Sequence, residues 1–473
     1  MELKLDTVLA QFRYLPKAER MTILYGILDQ LGPHEYRAAQ AHLNNTFQYD
    51  ILGNLPLEIV AQIAEYLNLG DVFRLLRVSR HWDYTLSSPI VLMATVKALG
   101  SWVPDLSSIP DPYAFIRRRF SIERGLPAVN VEFNTQTDGS SQERSNMEDP
   151  CFSGGNLAWK DRGDKSVHVL NLWTGHHSQF TTENRDTFGM LGVSDSLVAA
   201  ITLYSGFVHV WHIATQEHVS FRLPNSPLPY LSMFLVCGTT VAVFFDYGVV
   251  HWRFDTRMAH MFNWDGIRLP LAIDTDPHEN NLVMAYLDSA PLESTVHVQK
   301  LELDQGVLRS VSESSEELSF VDKNPSDVTF LVRGARVTNS GQISAEMEVR
   351  MAINGASRAV IGHVAFEKNL QLTTYASCLE HNIGRRISPS PGVLYASSEE
   401  GEGGVYIFQG QSPKSLTHEP WLHKPFPRGE KVESLCGDEN FSIFISREHV
   451  RIWSFDETWV PDRMPWSRVL HHD

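Results

Sequence analysis

The sequence predicts a chain in two parts, helical over roughly its first 120 residues and all-β beyond, in the multidomain α + all-β class. Three observations carry this. Apolar residues recur at helical spacing from Leu5 up to the 112–127 region. Beyond about residue 125 the texture changes to short alternating strands separated by Gly, Asp, Asn and Pro. One strand pattern then returns at a near-constant period almost to the last residue.

At 473 residues the chain is long enough for two to four domains, and 11 Trp with 10% aromatic residues point to a β-rich body. The formal charge of −16 argues against nucleic acid or an anionic membrane as main partner, since phosphate binding needs clustered Lys and Arg; a local basic patch stays open. Cys151, Cys237, Cys378 and Cys436 lie far apart without zinc spacing and read as reduced, buried thiols of a cytoplasmic or nuclear protein. The opening segment mixes charges throughout and does not read as a signal peptide. No run of about 18 apolar residues is present to span a membrane.

In chain order, Leu5, Val8, Leu9 and Phe12 form a first helical stripe, and Met21, Leu24, Ile27, Leu28 and Leu31 a second one after Pro16. Gly32-Pro33 is expected to stop that helix, and "HEYRAAQAHLNN" supplies another. From Leu55 the chain reads "LPLEIVAQIAEYLNLGDVFRLLRVSRHW". Pro56 suits a first turn, and Ile59, Ile63 and Leu67 form one stripe with Val60 and Ala64 beside it. Asp71 is the expected cap of a helix carrying Val72, Leu75, Leu76 and Val78. Helical character resumes in "IVLMATVKALGSW" and "PYAFIRRRFSIERG". The polar stretch 134–150 reads as a linker or long loop.

The recurring strand begins at Val167, Val208, Val249, Val296, Val405 and Val450, with spacings of 41, 41, 47, 109 and 45. The 109 gap fits two units, with "MEVRMAI" around Val349 as the missing member, giving seven units of about 41–56 residues. Most of these strands follow another strand and a tight turn, as in "SLVAAITLYSGFVHVW" and "NFSIFISREHVRIW". A repeated hairpin at this period predicts a C-terminal β-propeller of about seven divergent blades; a β-sandwich would not repeat it.

The segment from Leu55 combines Leu55-Pro56, Glu58-Ile59, Ile63, Tyr66-Leu67, Asp71-Val72, Leu75, Val78 to Trp82 ("VSRHW") and Pro89. Over about 45 residues it resembles the F-box, the helical module by which substrate receptors of cullin-based ubiquitin ligases attach to a Skp-type adaptor. The resemblance makes Leu55, Pro56, Ile59, Ile63, Leu67, Leu69, Val72, Leu75, Val78 and Trp82 the adaptor-binding set, with Trp82 packing the third helix. Contact and core are not separated within it. A three-helix piece of this size cannot build a stable core alone, so its surplus apolar groups need an outside surface. Residues 6–52 resemble the helical dimerisation segment of F-box/WD-repeat proteins, which singles out Leu24, Ile27, Leu28 and Leu31 and leaves a homodimer open. Residues 112–127 resemble the linker helix leading into their propeller, or read as an ordinary basic amphipathic helix.

The repeats depart from the WD pattern. Trp211 and Trp453 hold its Trp position but are followed by His212 and Ser454. The Asp–His–Ser/Thr–Trp hydrogen-bond network of that family is therefore missing or altered in most blades, which must rely more on apolar packing. The implied organisation is a dimerisation-like segment (1–48), an F-box (49–95), linker helices (96–127) and a propeller (128–470).

No nucleophile elbow, HExxH, P-loop or dinucleotide fingerprint is present; "GEGG" at 401–404 reads as a hairpin tip. His209 and His212 sit at an odd offset on a strand, which makes them poor co-ligands, and no metal or cofactor is expected. The acidic stretch 310–322 reads as a solvated loop, with a phosphorylatable one as the alternative. Receptors of the resembled family place an arginine at an "SRD-x-x-x-R-x-W" turn, facing a phosphorylated degron; Arg447 stands in such a turn here, with Glu448 and one residue fewer. Arg162 is a second candidate of this kind. The reading is a non-catalytic substrate-recognition subunit of an SCF-type ubiquitin ligase. Its partners would be a Skp-type adaptor, through it a cullin and a RING subunit, and an unknown protein substrate. A scaffold acting outside ubiquitylation and a propeller enzyme are the alternatives.

Overall fold

The computed structural model of the chain describes residues 11–47, 52–99, 109–134, 148–161, 163–224, 231–245, 247–264, 268–275, 281–288, 295–304, 307–317, 328–337, 343–353, 356–366, 372–379, 383–390, 393–398, 404–409, 422–426, 431–446, 449–461 and 467–469. They fall into two units, Met1–Ala94 and Thr95–Asp473. Leu5, Val8 and Leu9 of the first expected helix lie outside the described residues, as does 135–147 of the polar stretch.

The helical elements are α1 (Lys17–Leu28), α2 (Pro33–Phe47), a 3₁₀ turn (Leu52–Asn54), α3 (Leu57–Ala64), α4 (Leu69–Leu75), α5 (Arg80–Leu86), α6 (Pro89–Ala98) and, in the second unit, α7 (Pro112–Arg124). Among the described helices proline sets five of the seven starts: Pro16 and Pro56 are N-caps, while Pro33, Pro89 and Pro112 are first helical residues. Its fixed φ suits those positions and its missing N–H costs nothing there. Gly32-Pro33 therefore opens α2 rather than stopping α1, and Glu35 reaches back to accept the Gly32 N–H at 2.9 Å. Asp71 is likewise not the cap of α4. Asn68 is, its side chain accepting the Asp71 N–H at 2.8 Å, which leaves the Asp71 carboxylate in the first turn, favoured by the helix dipole.

The second unit is a propeller of seven antiparallel sheets. The first is β2 (Glu148–Ser153), β3 (Asn156–Lys160), β4 (Ser166–Asn171) and β5 (His177–Thr181); the second is β6 (Phe188–Val193), β7 (Leu197–Thr202), β8 (Phe207–His212) and β9 (His218–Arg222). The third is β10 (Leu231–Cys237), β11 (Thr240–Phe245), β12 (Gly248–Arg253) and β13 (Met258–Asn263); the fourth is β14 (Arg268–Thr275), β15 (Asn281–Asp288), β16 (Thr295–Asp304) and β17 (Val307–Glu317). The fifth is β18 (Val328–Val337), β19 (Ile343–Ile353), β20 (Ala356–Phe366) and β21 (Leu372–Leu379); the sixth is β22 (Ile383–Ser390), β23 (Val393–Ser398), β24 (Gly404–Gln409) and β25 (Leu422–Pro425). The seventh runs β26 (Ser434–Gly437), β27 (Phe441–Ile445), β28 (His449–Ser454), β1 (Val129–Asn134) and β29 (Ser467–Val469). First strands of successive sheets touch: β26 with β2, β2 with β6, β6 with β10, β10 with β14, β14 with β18, and β22 with β26.

The recurring strand of the sequence is the third of each sheet, and these third strands begin at 166, 207, 248, 295, 356, 404 and 449. In the fifth sheet the assignment shifts: Val349 lies on β19, the second strand, and the third is β20. Both strands of a hairpin alternate with period 2, so "MEVRMAI" and the following "ASRAVIGHVAF" look alike to pattern reading. Ser310–Glu317, expected as loop, is the outer half of β17, paired with β16; 318–322 lie outside the described residues. A charged edge strand that resists pairing with other chains has the composition of a solvated loop. Of the cysteines expected to be buried, Cys436 is, while Cys151 and Cys237 are half-buried. The side chain of Cys378 is not described.

The core lies between sheets. Every residue of β7, β11 and β27 is buried, because each second strand packs on both faces. Val241, Val243 and Phe245 join a cluster with Leu197, Ala199, Ile201 and Trp252, while the alternate Ala242 and Phe244 join Tyr286, Met284 and Leu282 of the fourth sheet. Such strands read as continuous apolar runs ("TVAVFF", "FSIFI") rather than alternating ones.

Helix α7 is welded to this body. Asp111 accepts the Tyr113 and Ala114 N–H groups at 3.0 and 3.1 Å, and Gly125 ends the helix at φ 56°. Ile122 packs among Val393, Tyr395, Ile407, Phe444 and Trp453, and the fully buried Tyr395 hydroxyl donates to the Ile122 carbonyl. Arg118 donates to Asn440 Oδ1 at 2.9 Å. The chain then enters β1, which pairs with β28 from Val129↔Ser454 to Asn134↔His449 and closes the last sheet with a strand from the other end of the unit. Arg451 on β28 reaches Glu132 on β1 at 2.7 Å and lies over the Phe426 ring at 4.4 Å.

Two outcomes follow. A Cβ on Gly125 would stand 2.3 Å from Ile407 Cδ1 in a left-handed conformation, so Gly125→Ala lowers the stability of the β unit by about 2 kcal/mol in a denaturant titration. Arg451→Ala removes the guanidinium that meets the Glu132 carboxylate, leaving it beside His449 Nδ1 at 3.4 Å, and costs roughly 3 kcal/mol in the same measurement, with Arg451→Lys recovering part of it.

Candidate functional site

Residues 52–94 build a small helical core from Leu52, Val60, Ala61, Ala64, Leu86 and Val91, against which Leu55, Leu75, Leu76, Trp82 and Ala94 pack. The small Ala61 and Ala64 let α5 approach α3 closely. Ser79 caps α5 by accepting the Trp82 N–H at 3.1 Å, which fixes where Trp82 enters the core.

Residues one face away on α3 are exposed. Ile59 is 40% exposed, Ile63 37% and Val78, after α4, 59%; Leu57 and Tyr66 are exposed as well. Ile59 and Ile63 stand four residues apart and so share a face, opposite the Val60/Ala64 pair in role although adjacent in sequence. The sequence-derived set thus divides. Leu69 and Val72 are interior; Leu55, Leu67, Leu75 and Trp82 are half-buried; Pro56, Ile59, Ile63 and Val78 face outward. Tyr66 is more open to water than any of these, at 90% exposure, although sequence reading took it only as a marker of the motif.

On α1 no residue is buried. Leu24 and Ile27 are exposed, together with Met21, Ile23 and Tyr25, while Leu28 and Leu31 are half-buried.

Arg447 and Arg162 both lie outside the described residues. Their described neighbours form tight turns between second and third strands. Ser446 Oγ accepts the His449 N–H at 3.1 Å, and Asp161 accepts the Lys165 and Ser166 N–H groups at 2.8 and 3.1 Å. Burial alone would raise the Asp161 carboxyl, but the hydrogen bonds from Ser166 and Lys165 outweigh it and hold it below the usual carboxylate range. Beneath that turn the buried Lys160 ammonium meets Asp164 at 3.0 Å and donates to the Gly189 carbonyl at 3.0 Å. Glu402 and its neighbours at 401–403 are outside the described residues; Gly404 opens β24.

His209 and His212 have different surroundings. His209 contacts His218 and Trp211, whereas His212 accepts the Thr215 N–H at 3.2 Å and packs on Phe254. Among the described residues no three His, Cys, Asp or Glu side chains gather as a metal site, and no helix is long and apolar enough to cross a membrane.

Residues 52–96 match the F-box-like family. Over 86 residues the chain is 29% identical to the WD repeat-containing protein pop1 of Schizosaccharomyces pombe, a match covering 18% of this chain and 11% of that protein. Among solved structures, the Myceliophteria thermophila Cps50 (Swd1) β-propeller domain superposes with a TM-score of 0.44 at 13% identity, over 68% of this chain and 99% of that one. Kuenenia stuttgartiensis hydrazine synthase gives 0.45 at 13% identity, over 67% and 98% of the two chains. The RRP9 WD40 repeats give 0.41 at 11%, over 68% and 97%. Residues 52–96 are thus similar to the F-box-like family, and the described sheets that follow form a β-propeller.

Proposed function

We propose that this protein is the substrate-recognition subunit of an SCF-type ubiquitin ligase. The observation that carries the reading is the exposure of Ile59, Ile63 and Val78 on a helical segment that matches the F-box-like family. A Skp-type adaptor covering it gains roughly 1 kcal/mol per side chain, because each is already part-buried before docking. In this reading residues 1–48 are a dimerisation-like segment, 49–95 the F-box, 96–127 the linker and 128–470 the substrate-binding propeller. The subunit has no active site; it holds the substrate near the ubiquitin-charged enzyme that the cullin and RING subunit bring, and so raises effective concentration. Such an assembly works in the cytoplasm or nucleus.

Capture by an immobilised Skp-type adaptor tests this. Ile59→Asp/Ile63→Asp abolishes capture while far-UV circular dichroism stays unchanged, since neither side chain is in the core. Val60→Asp, at a fully buried position, lowers helicity instead. Unaltered capture by the double variant would sink the reading. A cullin retained in the same complex, and a substrate that accumulates on deletion, separate a ligase receptor from a scaffold.

The exposed apolar residues of α1 fit a second copy of the same segment, with Leu24 and Ile27 at its centre. Light scattering of the full chain reads a dimer, and Leu24→Asp/Ile27→Asp reads a monomer that still binds adaptor.

A further inference from the structure

Three successive sheets carry a histidine pair that neither adaptor docking nor the WD pattern requires. His168 and His177, His209 and His218, and His251 and His260 each stand nine residues apart, the first of each pair on the third strand and the second on the fourth. In the first sheet His168 Nδ1 and His177 Nε2 are 3.2 Å apart, and in the second His209 Nδ1 and His218 Nε2 are 3.0 Å apart. The ring planes diverge by only 6° and 13°, with centroids 5.3 and 5.2 Å apart. Near-parallel rings whose nitrogens touch while their centroids stand that far apart lie edge to edge, joined by an N–H···N hydrogen bond. In the third sheet His251 and His260 are directly opposite in register and both buried.

An N–H···N bond needs one neutral imidazole as acceptor. Placing a proton on both rings removes the bond and sets two like charges about 3 Å apart, in partly buried surroundings that already disfavour charge. Asp161 faces His168, whose Nε2 lies 3.5 Å from the Ser166 hydroxyl, and His176 stands beside His177. Asp186, from the connection between β5 and β6, is 3.9 Å from His209 Nε2, and Glu183 of the same connection faces His218. In the third pair His251 faces the Arg253 cation, and among the described residues its Nδ1 has no hydrogen-bond partner. Trp159 and Trp211 run nearly parallel to the first two pairs and offer no proton acceptor.

We propose that these pairs make the first three sheets acid-labile: on acidification the outer strands β5, β9 and β13 part from β4, β8 and β12 before the rest of the propeller opens. The pairs sit across the third-to-fourth strand ladder, so their repulsion acts on the one ladder that holds each outer strand in its sheet.

Burial first, then the partner histidine, holds the His168, His209 and His251 imidazoles below the usual range, the last at about 4. With the folded-state value below the unfolded one, the unfolded state binds more protons, so this stability is complete above about pH 6.5 and lost as pH falls toward 4. His251 alone raises the opening constant of its strand pair about 30-fold between pH 7.5 and pH 5.

Backbone hydrogen exchange of the full chain at pH 7.5 and 5.0, corrected for intrinsic exchange, tests the proposal. Protection of β5, β9 and β13 should fall at least tenfold (about 1.4 kcal/mol per factor of ten) while β27 and β28 keep theirs. The combined His177→Gln, His218→Gln, His260→Gln variant should lose most of that pH dependence. The same acid-induced opening in this variant, or opening that begins in β27 or β28, would overturn it. Should the variant fail to fold, exchange of the imidazole C2 protons in the unaltered chain decides. His168, His209 and His251 must titrate below the usual histidine range, and titration within or above it would overturn the proposal equally.

Discussion

The pairing of β1 with β28 is the constraint on which the β unit depends. Six register pairs join residue 129–134 backbone to 449–454 backbone, tying together segments more than 300 residues apart. The entropy of closing so long a loop grows only slowly with length, so a short ladder with one ion pair is enough to hold it. Arg451 has a double role in that ladder. It neutralises Glu132 across the strands and lays its guanidinium on Phe426 of the neighbouring sheet, so one side chain joins the closure to the packing between sheets six and seven. The closure also fixes α7. Gly125 turns the chain directly from the helix into β1, and the Tyr395 hydroxyl holds the last helical turn from the sixth sheet.

The described sheets are held by apolar packing and by side chains that reach a neighbouring sheet's backbone. Asn156 donates to the Ser194 and Asp195 carbonyls, Ser194 and Ser196 donate to the Gly238 carbonyl, and Trp459 Nε1 donates to the Leu172 carbonyl at 2.7 Å. Each such bond contributes about 1 kcal/mol, whereas each fully buried Val, Ile or Phe between sheets contributes more and is far more numerous. The polar ties therefore set register between sheets, and the apolar clusters set stability. The ties among Asn156, Ser194, Ser196 and Gly238 fall at turns between first and second strands, where "SGGN", "VSDS" and "VCGT" place small residues so that adjacent turns can meet.

How much of this was legible varies with the kind of signal. Six of the seven repeats were readable because their third strands carry a recurring valine at 167, 208, 249, 296, 405 and 450, a period that loops do not erase, and the 109-residue gap gave away the seventh. Placement within the fifth sheet was not, since both strands of its central hairpin alternate identically and only pairing tells them apart. The edge strand β17 was hidden by charge, because protection against pairing and solvation call for the same residues. In the helical unit the pattern Leu55 to Trp82 disclosed a module but not which side was inside: Ile59 and Val60 are equally apolar neighbours, and only burial separates them. The histidine pairs had a signal in plain view, a nine-residue offset repeated three times, which strand-by-strand reading of His209 and His212 missed. Arg447 and Arg162 remain sequence candidates.

The division of residue sizes on α3 is what distinguishes an attachment surface from a poorly filled core. A self-sufficient bundle puts its largest apolar side chains inward, because burial energy scales with area. Here the inward positions after Val60 are Ala61 and Ala64, while Ile59 and Ile63 face water. Exchanging the two sets would bury more area within the segment but separate α3 from α5, and it would leave no apolar ridge outside. The observed choice forgoes internal stability and keeps that ridge intact, at a four-residue spacing that a groove on another protein can read. A chain under no demand but folding would gain from the opposite arrangement, so the inversion supports the proposed docking of a partner on this face.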